Sequence, residues 1–85
     1  SLSGLSVKSQ VPLPVIYKGI HLDMGYRIDL LVENSLIVEI KSVTALSDTH
    51  KKQLITYLKL SGIRLGFLIN FNVPLLKDGI RRIIL

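Results

Sequence analysis

Hydrophobic and polar residues alternate most clearly in the stretch GYRIDLLVENSLIVEIKS, from Gly25 to Ser42. In its first arm, one predicted face carries Tyr26, Ile28, Leu30 and Val32, and the other carries Arg27, Asp29, Leu31 and Glu33. In its second arm, one face carries Leu36, Val38 and Ile40, and the other carries Ile37, Glu39 and Lys41. A period of two predicts half-buried strands, and the turn-forming residues between the arms predict a hairpin.

The length of the hairpin loop decides which side chains lie opposite one another. A two-residue loop at Asn34-Ser35 would pair Asp29 with Ile40 and place the apolar row of one strand beside the polar row of the other. A three-residue loop, or a bulge, would pair Asp29 with Glu39 and keep the apolar rows together. Asn34 tolerates the left-handed backbone that such a loop needs. We therefore expect Asp29, Glu39 and Lys41 to share one face.

Proline marks the segment before the hairpin as an edge strand. Leu5 to Lys18 alternates imperfectly and contains Pro12 and Pro14, which cannot donate hydrogen bonds to a neighbouring strand. A short turn from Gly19 to Met24 would then lead into the hairpin. The pattern therefore predicts three antiparallel strands in succession.

After the hairpin the period changes to that of a helix. Between Thr44 and Gly62, helical spacing relates Leu54, Tyr57, Leu58 and Ser61. Ser47 or Asp48 would supply the N-cap, and Gly62 stands where a left-handed residue ends a helix.

Two further strands are predicted after the helix. Leu65 to Phe71 is an almost continuous apolar run, which is typical of a central strand that is buried on both faces and follows a crossover helix. Asn72 to Gly79 contains Pro74 and is predicted to be a loop. Gly79 to Leu85 would be a last short strand. The predicted order is therefore β-β-β-α-β-β.

Three charged residues interrupt the apolar texture of the hairpin, namely Asp29, Glu39 and Lys41. Charges on a mostly buried face are costly unless they pair with one another or with a metal. Neighbouring carboxylates can both ionise beside a hard divalent cation such as Mg²⁺ or Mn²⁺, which would polarise a phosphoryl oxygen and activate a water. Lys41 would then stabilise charge or orient the nucleophile. The alternative is an ordinary salt bridge of Lys41 with Glu39 or Asp29 on a solvated sheet face.

Composition narrows the classes of function. The 85 residues suffice for one domain with a modest core, and the net charge of +5 favours a polyanionic partner such as nucleic acid. The absence of cysteine excludes disulfides and thiolate chemistry and fits a cytoplasmic protein. No apolar run is long enough to predict a membrane span.

Several blocks of the sequence resemble the PD-(D/E)XK nuclease superfamily and, within it, small bacterial proteins named for a GxxExxY motif. The blocks are LDMGYRIDLLVEN, LIVEIKSV, HKKQLITYLKLSG, RLGFLINFN and LKDGIRR, in the same order and spacing. The resemblance implies an α/β, restriction-endonuclease-like fold and metal-dependent hydrolysis of nucleic-acid phosphodiesters. It assigns Asp29 and Glu39 as ligands of Mg²⁺ or Mn²⁺ and Lys41 as the lysine of the motif.

The resemblance also assigns a catalytic role to Gln53 and Tyr57, which match a Q-x-x-x-Y element on the helix after the hairpin. At positions i and i+4 they share one helical face, so they can act together. The alternative is that Tyr57 belongs to the core and Gln53 to its boundary. The helix that carries the GxxExxY motif would precede this sequence. We therefore expect a single, N-terminally truncated domain over residues 1–85, with doubtful activity and an exposed sheet face that favours a homodimer.

Four further residues are predicted to contact nucleic acid, namely Arg27, His50, Lys51 and Lys52. Lys51 and Lys52 lie near the predicted start of the helix, where the helix dipole disfavours cations. Arg27 would pair with Asp29 or Glu33, or contact a phosphate, and His50 could instead be an ordinary helix-surface residue. The resulting hypothesis is a cytoplasmic nuclease with DNA favoured over RNA. The alternative is a catalytically inactive nucleic-acid-binding or assembly module with the same fold.

Overall fold

A computed structural model describes residues 4–85 as a five-stranded mixed sheet, a two-stranded ribbon and one α-helix. The strands are β1 (Val7–Pro12), β2 (Val15–Tyr17), β3 (Ile20–Leu22), β4 (Arg27–Val32), β5 (Leu36–Lys41), β6 (Leu65–Asn70) and β7 (Ile80–Ile84). The helix α1 spans Asp48–Ser61, and a 3-10 turn spans Leu76–Gly79. The strand order in the large sheet is β1-β4-β5-β6-β7. This mixed α/β architecture is consistent with a restriction-endonuclease-like fold.

The segment before the hairpin differs from its prediction. The predicted strand from Leu5 to Lys18 is divided into β1 and β2, and the predicted turn from Gly19 to Met24 contains β3. β2 and β3 pair antiparallel and form a separate ribbon, which we call the β2–β3 ribbon. Pro12 and Pro14 lie at the break, where their missing N–H groups prevent one continuous ladder. The predicted order β-β-β-α-β-β is therefore not confirmed.

The hairpin has the three-residue loop that its apolar pattern predicts. β4 and β5 pair antiparallel, with Val32 opposite Leu36 and Leu30 opposite Val38. Glu33 and Asn34 adopt left-handed backbone conformations, with φ of 54° and 52°. The paired residues end at Leu30 and Val38, so the predicted pairing of Asp29 with Glu39 is not part of the ladder. The two residues instead meet through the Asp29 N–H, which donates to the Glu39 carboxylate.

Strict alternation along β4 does not persist through Asp29. Ile28 and Leu31, which were predicted on opposite faces, both belong to the one buried cluster of the core. Tyr26 also contacts the helix, since its ring centroid lies 5.5 Å from that of Tyr57. The backbone ladder is interrupted at the same place, because the Asp29 N–H donates to the Glu39 carboxylate rather than to a β5 carbonyl.

Helix α1 covers one face of the sheet. Its buried residues Leu54, Tyr57 and Leu58 pack with Ile37 and Leu68 in a single apolar cluster. Ser47 is the N-cap, and Gly62 ends the helix with φ of 78° while its N–H donates to the Leu58 carbonyl, as predicted. No helix in the described part of the chain is long and apolar enough to cross a membrane.

The helix connects β5 to β6, which pair in parallel, so the predicted crossover is confirmed. Only alternate residues of β6 are fully buried, so the prediction of burial on both faces is wrong. β5 and β6 end at Lys41 and Asn70, and antiparallel pairing places the start of β4 and the end of β1 at the same side of the sheet. We call this side the carboxyl edge.

Candidate active site

Two carboxylates meet on the helix-covered face of the hairpin. The Asp29 N–H donates to Glu39 Oε2 at 2.9 Å, and the Ile40 N–H donates to Asp29 Oδ2 at 2.8 Å. Each carboxylate therefore reaches across to the backbone of the opposite strand. Glu39 is only 1% exposed, whereas Asp29 is half-buried. The two side chains thus form one acidic pair at the carboxyl edge.

The lysine beside this pair is held by the helix. Lys41 Nζ donates to Gln53 Oε1 at 2.6 Å, and Gln53 Nε2 donates to the Tyr57 hydroxyl at 3.3 Å. Because an ammonium group can only donate, it fixes the orientation of the Gln53 amide. Lys41 forms no ion pair with Asp29 or Glu39 among residues 4–85, so the salt-bridge alternative is not observed. The structure therefore brings all five predicted catalytic residues together.

The environment of the site shifts two pKa values. Burial, reinforced by the charge of Asp29, raises the pKa of Glu39 to about 7, although a backbone hydrogen bond from Asp29 and the charge of Lys41 act in the opposite direction. Burial and the charge of Glu39 raise the pKa of Tyr57 above its ordinary value, so its hydroxyl stays protonated at neutral pH.

The acidic pair fits a hard divalent cation chemically but incompletely. Within residues 4–85, no hydrogen bond is donated to Glu39 Oε1 or Asp29 Oδ1, so each carboxylate retains an oxygen for a metal. The same residues contain no group of three or more His, Cys, Asp or Glu side chains that could hold a metal ion. Asp29 and Glu39 are therefore the two ligands that this part of the chain would offer.

One of the four predicted nucleic-acid contacts, Lys52, lines a cleft together with Gln53 and Tyr57 of the site. Arg27 does not pair with Asp29 or Glu33 as predicted, because its guanidinium lies 3.9 Å from Asp23 and donates to the Tyr26 carbonyl. His50 Nδ1 accepts the Ser47 N–H at 3.0 Å, so this histidine caps the helix. The remaining two lysines, Lys51 and Lys52, are exposed in the first half of the helix.

Asn70 is a site residue that the sequence did not single out. It is 2% exposed and lies opposite Lys41 in the parallel pairing. Its Oδ1 accepts the N–H groups of Val43 and Asn72 at 3.1 and 3.2 Å, and its Nδ2 donates to the Val43 carbonyl at 2.9 Å. These bonds hold the segment after Lys41 against the end of β6. The sequence signal that could have identified Asn70 is a polar residue at the end of an apolar strand. Asparagine often ends strands without any functional role, so this signal is not specific.

The unfolding free energy of the metal-free protein should fall as pH rises because of Glu39. Between about pH 4.5 and 7 the folded state binds more protons at this group than the unfolded state does. The contribution of Glu39 to the unfolding free energy is therefore fully present below this range and decreases as the pH rises through it. Glu39→Gln removes the titration, and we expect it to stabilise the protein by about 1 to 2 kcal/mol at pH 8 but not at pH 4.5. Urea unfolding in EDTA at both pH values measures this.

Glu33→Gln is the matched control for this experiment. Glu33 is exposed, and its carboxylate accepts the Ser6 N–H, a bond that a glutamine oxygen can also accept. The control should not show the gain in stability at pH 8 that is expected of Glu39→Gln, because Glu33 is exposed. A wild-type stability that is flat or rising from pH 5 to 8 would contradict the raised pKa of Glu39.

Comparison with known proteins supports a single family. The profile described as the PD-(D/E)XK nuclease superfamily matches residues 1–83. No curated protein and no solved structure matches the chain. The narrower assignment to proteins with a GxxExxY motif stays a prediction. The profile match covers almost the whole sequence and agrees with the acidic pair and adjacent lysine on one sheet face, so the chain belongs to the PD-(D/E)XK nuclease superfamily.

Proposed function

We propose that the protein hydrolyses nucleic-acid phosphodiesters with the help of a divalent metal, Mg²⁺ or Mn²⁺, and that DNA is its substrate. Membership of a nuclease superfamily supports a nuclease-like function. The observation that carries the proposal is the hydrogen bond from Lys41 to Gln53, because it holds an ammonium group next to two carboxylates without pairing it to either. An ordinary structural lysine would neutralise the nearest carboxylate.

Each residue has a distinct role in this proposal. Asp29 and Glu39 would hold the cation, which when bound supplies a Lewis acid for the phosphoryl oxygen and lowers the pKa of a water. Lys41 stabilises the negative charge that develops on the phosphate in the transition state. Gln53 positions Lys41, and Tyr57 positions Gln53. Because Glu39 is buried, solvent screens its charge less than it would screen a surface charge.

The metal requirement can be measured without relying on turnover alone. Calorimetric titration with Mn²⁺ at pH 8 should detect binding that Asp29→Asn weakens at least tenfold, because one of two ligands is lost. In parallel, Mg²⁺ should support cleavage of single- or double-stranded DNA, and EDTA should abolish it. RNA of the same sequence tests the choice of substrate.

Asp78→Asn is the control for the metal experiment, because Asp78 is an exposed carboxylate in the 3-10 turn outside the acidic pair. It should bind Mn²⁺ as the wild type does. Equal Mn²⁺ affinity in wild type and Asp29→Asn would remove the metal site.

A binding module is the second candidate. It is favoured by the small acidic set, since residues 4–85 offer two carboxylates and no third ligand, while the chain carries a net charge of +5. Such a module would bind DNA in EDTA with strong salt dependence and would not cleave it with Mg²⁺ or Mn²⁺. The same titration and cleavage measurements therefore separate the two candidates. For either one we propose a cytoplasmic location and keep the homodimer as a hypothesis.

A further inference from the structure

The β2–β3 ribbon extends from the same edge of the sheet as the candidate active site. β1 ends at Pro12 and β4 begins at Arg27, and these two residues pair with each other at the carboxyl edge. The ribbon is inserted between these two residues, so both of its ends connect to the sheet at the Pro12–Arg27 pair. Arg27 is two residues before Asp29 in the sequence. The Arg27 side chain lines an open cleft at the base of the ribbon together with His21 and Leu22.

The tip of the ribbon combines an aromatic ring with a cation. Tyr17 is paired with Ile20 across the ribbon, and the two side chains are 59% and 62% exposed. Lys18 Nζ lies 5.5 Å from the centroid of the Tyr17 ring. No acidic residue occurs between Pro12 and Leu22, and His21 adds a second potential cation. An exposed ring beside a positive charge suits a nucleic-acid strand, because the ring can stack on a base while the cation contacts phosphate.

Lys18 occupies this position at a conformational cost. The turn consists of Lys18 and Gly19, which have φ of 49° and 77°. Asparagine, aspartate or glycine is preferred at the first of two left-handed turn positions, whereas lysine is disfavoured there. Lys18 is exposed, and its one described contact is with the Tyr17 ring, so asparagine would suit the turn better. An observed backbone outlier of this kind is grounds for a functional hypothesis.

We propose that the β2–β3 ribbon is a nucleic-acid contact, in which Tyr17 stacks on a base and Lys18 pairs with the neighbouring phosphate. The inference rests on the proposed function, because it takes the substrate of that site as its ligand. The ribbon would hold the strand beyond the cleavage position, and Arg27 at its base would face the intervening backbone. A contact through stacking favours single-stranded nucleic acid or the frayed ends of a duplex, because their bases are accessible.

Binding to a fluorescein-labelled single-stranded 12-mer in EDTA tests the ribbon without any cleavage. Fluorescence anisotropy should show that Tyr17→Ser weakens binding about 5- to 150-fold, the range for the loss of one base–aromatic stack, whereas Tyr17→Phe retains it. Lys18→Asn should weaken binding. It should also make the slope of log affinity against log salt concentration less negative by about 0.7, since one phosphate contact is lost. Because asparagine suits the turn, this variant should melt at or above the wild-type temperature.

Lys77→Asn serves as the matched control, since Lys77 is an exposed lysine in the 3-10 turn and outside the ribbon. It should not show the loss of affinity expected of Lys18→Asn. Wild-type affinity in both Tyr17→Ser and Lys18→Asn would overturn the proposal. So would a change in self-association alone, measured by sedimentation, since that outcome would make the ribbon a protein-docking element.

The proposals for the ribbon and for the active site can be contradicted independently. If the wild type binds the 12-mer and the ribbon variants do so equally well, the ribbon proposal fails and the proposed function stands. If the wild type binds neither DNA nor RNA oligonucleotides at 50 mM salt or below, both fail together. If the ribbon variants lose affinity but the Mn²⁺ titration detects no metal, the ribbon proposal stands and the binding module replaces the nuclease.

Discussion

Lys41→Met is expected to lower kcat for DNA cleavage by about 100- to 1,000-fold while leaving the fold and Mn²⁺ binding intact. The effect is large because a charged donor aimed at developing charge stabilises the transition state more than the bound substrate. Methionine keeps most of the length and volume of the half-buried lysine stem, so packing is preserved. Single-turnover cleavage rates at saturating Mg²⁺, compared with circular dichroism melting curves, measure the two effects.

Two companion variants show whether the loss of activity in Lys41→Met depends on the position of the ammonium group or only on the loss of a positive charge. Lys59→Met removes an exposed lysine from the last turn of α1 and should leave kcat unchanged. Gln53→Met removes the acceptor that holds Lys41 and should cause a smaller loss, on the order of tenfold, since the ammonium group remains but is less well placed. Equal rates in the wild type and Lys41→Met would rule out a role for the ammonium in catalysis.

Gly79→Ala is expected to lower the free energy of unfolding by about 2 to 4 kcal/mol. Gly79 is buried at the end of the 3-10 turn, and an added Cβ would overlap the carbonyl oxygen of Asn70 and come within 3.1 Å of Val73 Cγ2. The obstacle is backbone, which cannot rotate away, so the turn or the end of β6 must shift. Urea unfolding at pH 7 measures the loss.

Gly66→Ala, in β6, is the matched comparison. Its Cβ would come within 2.8 Å of Leu54 Cδ1, which belongs to a flexible side chain rather than to the backbone. Leu54 can change rotamer, so this variant should cost about 1 to 2 kcal/mol and less than Gly79→Ala. The reverse order of the two losses would contradict the geometry described at Asn70.

Gly79→Ala should also disturb the site. The Asn70 carbonyl that the new methyl group would displace belongs to the residue that holds Val43 on both its N–H and its carbonyl. Movement of Asn70 therefore changes the path of the chain directly after Lys41. We expect the surviving folded fraction of this variant to lose activity in addition to stability.

Hydrophobic pattern and turn chemistry predicted the part of the fold that depends on neighbouring residues. The register of the hairpin followed from keeping the apolar rows of β4 and β5 together, and it predicted that Asp29 and Glu39 would be neighbours, which their hydrogen bond confirms. The helix ends were likewise local, since Ser47 and Gly62 act on the first and last turns. The site residues were grouped by the same register and by the spacing of Gln53 and Tyr57.

Features that depend on tertiary contacts were not predictable in this way. The partner of Arg27 is Asp23, whose position is set by the unforeseen β2–β3 ribbon. Alternation along β4 failed at Asp29 because a side-chain carboxylate replaced a carbonyl as hydrogen-bond acceptor. The role of Asn70 depends on Val43, which is 27 residues away in the sequence. Single-residue patterns carry no information about such distant partners.

At the candidate active site, the Asp29 N–H donates to the Glu39 side chain and the Ile40 N–H to the Asp29 side chain, so side chains join β4 to β5 where the backbone ladder is interrupted. A change of charge at either carboxylate is therefore transmitted directly to an amide proton, that of Asp29 or of Ile40. These two amides are built-in spectroscopic reporters, whose chemical shifts and exchange rates register whatever the carboxylates bind. The two carboxylate groups that would bind a metal in the proposed function therefore also help to hold β4 and β5 together.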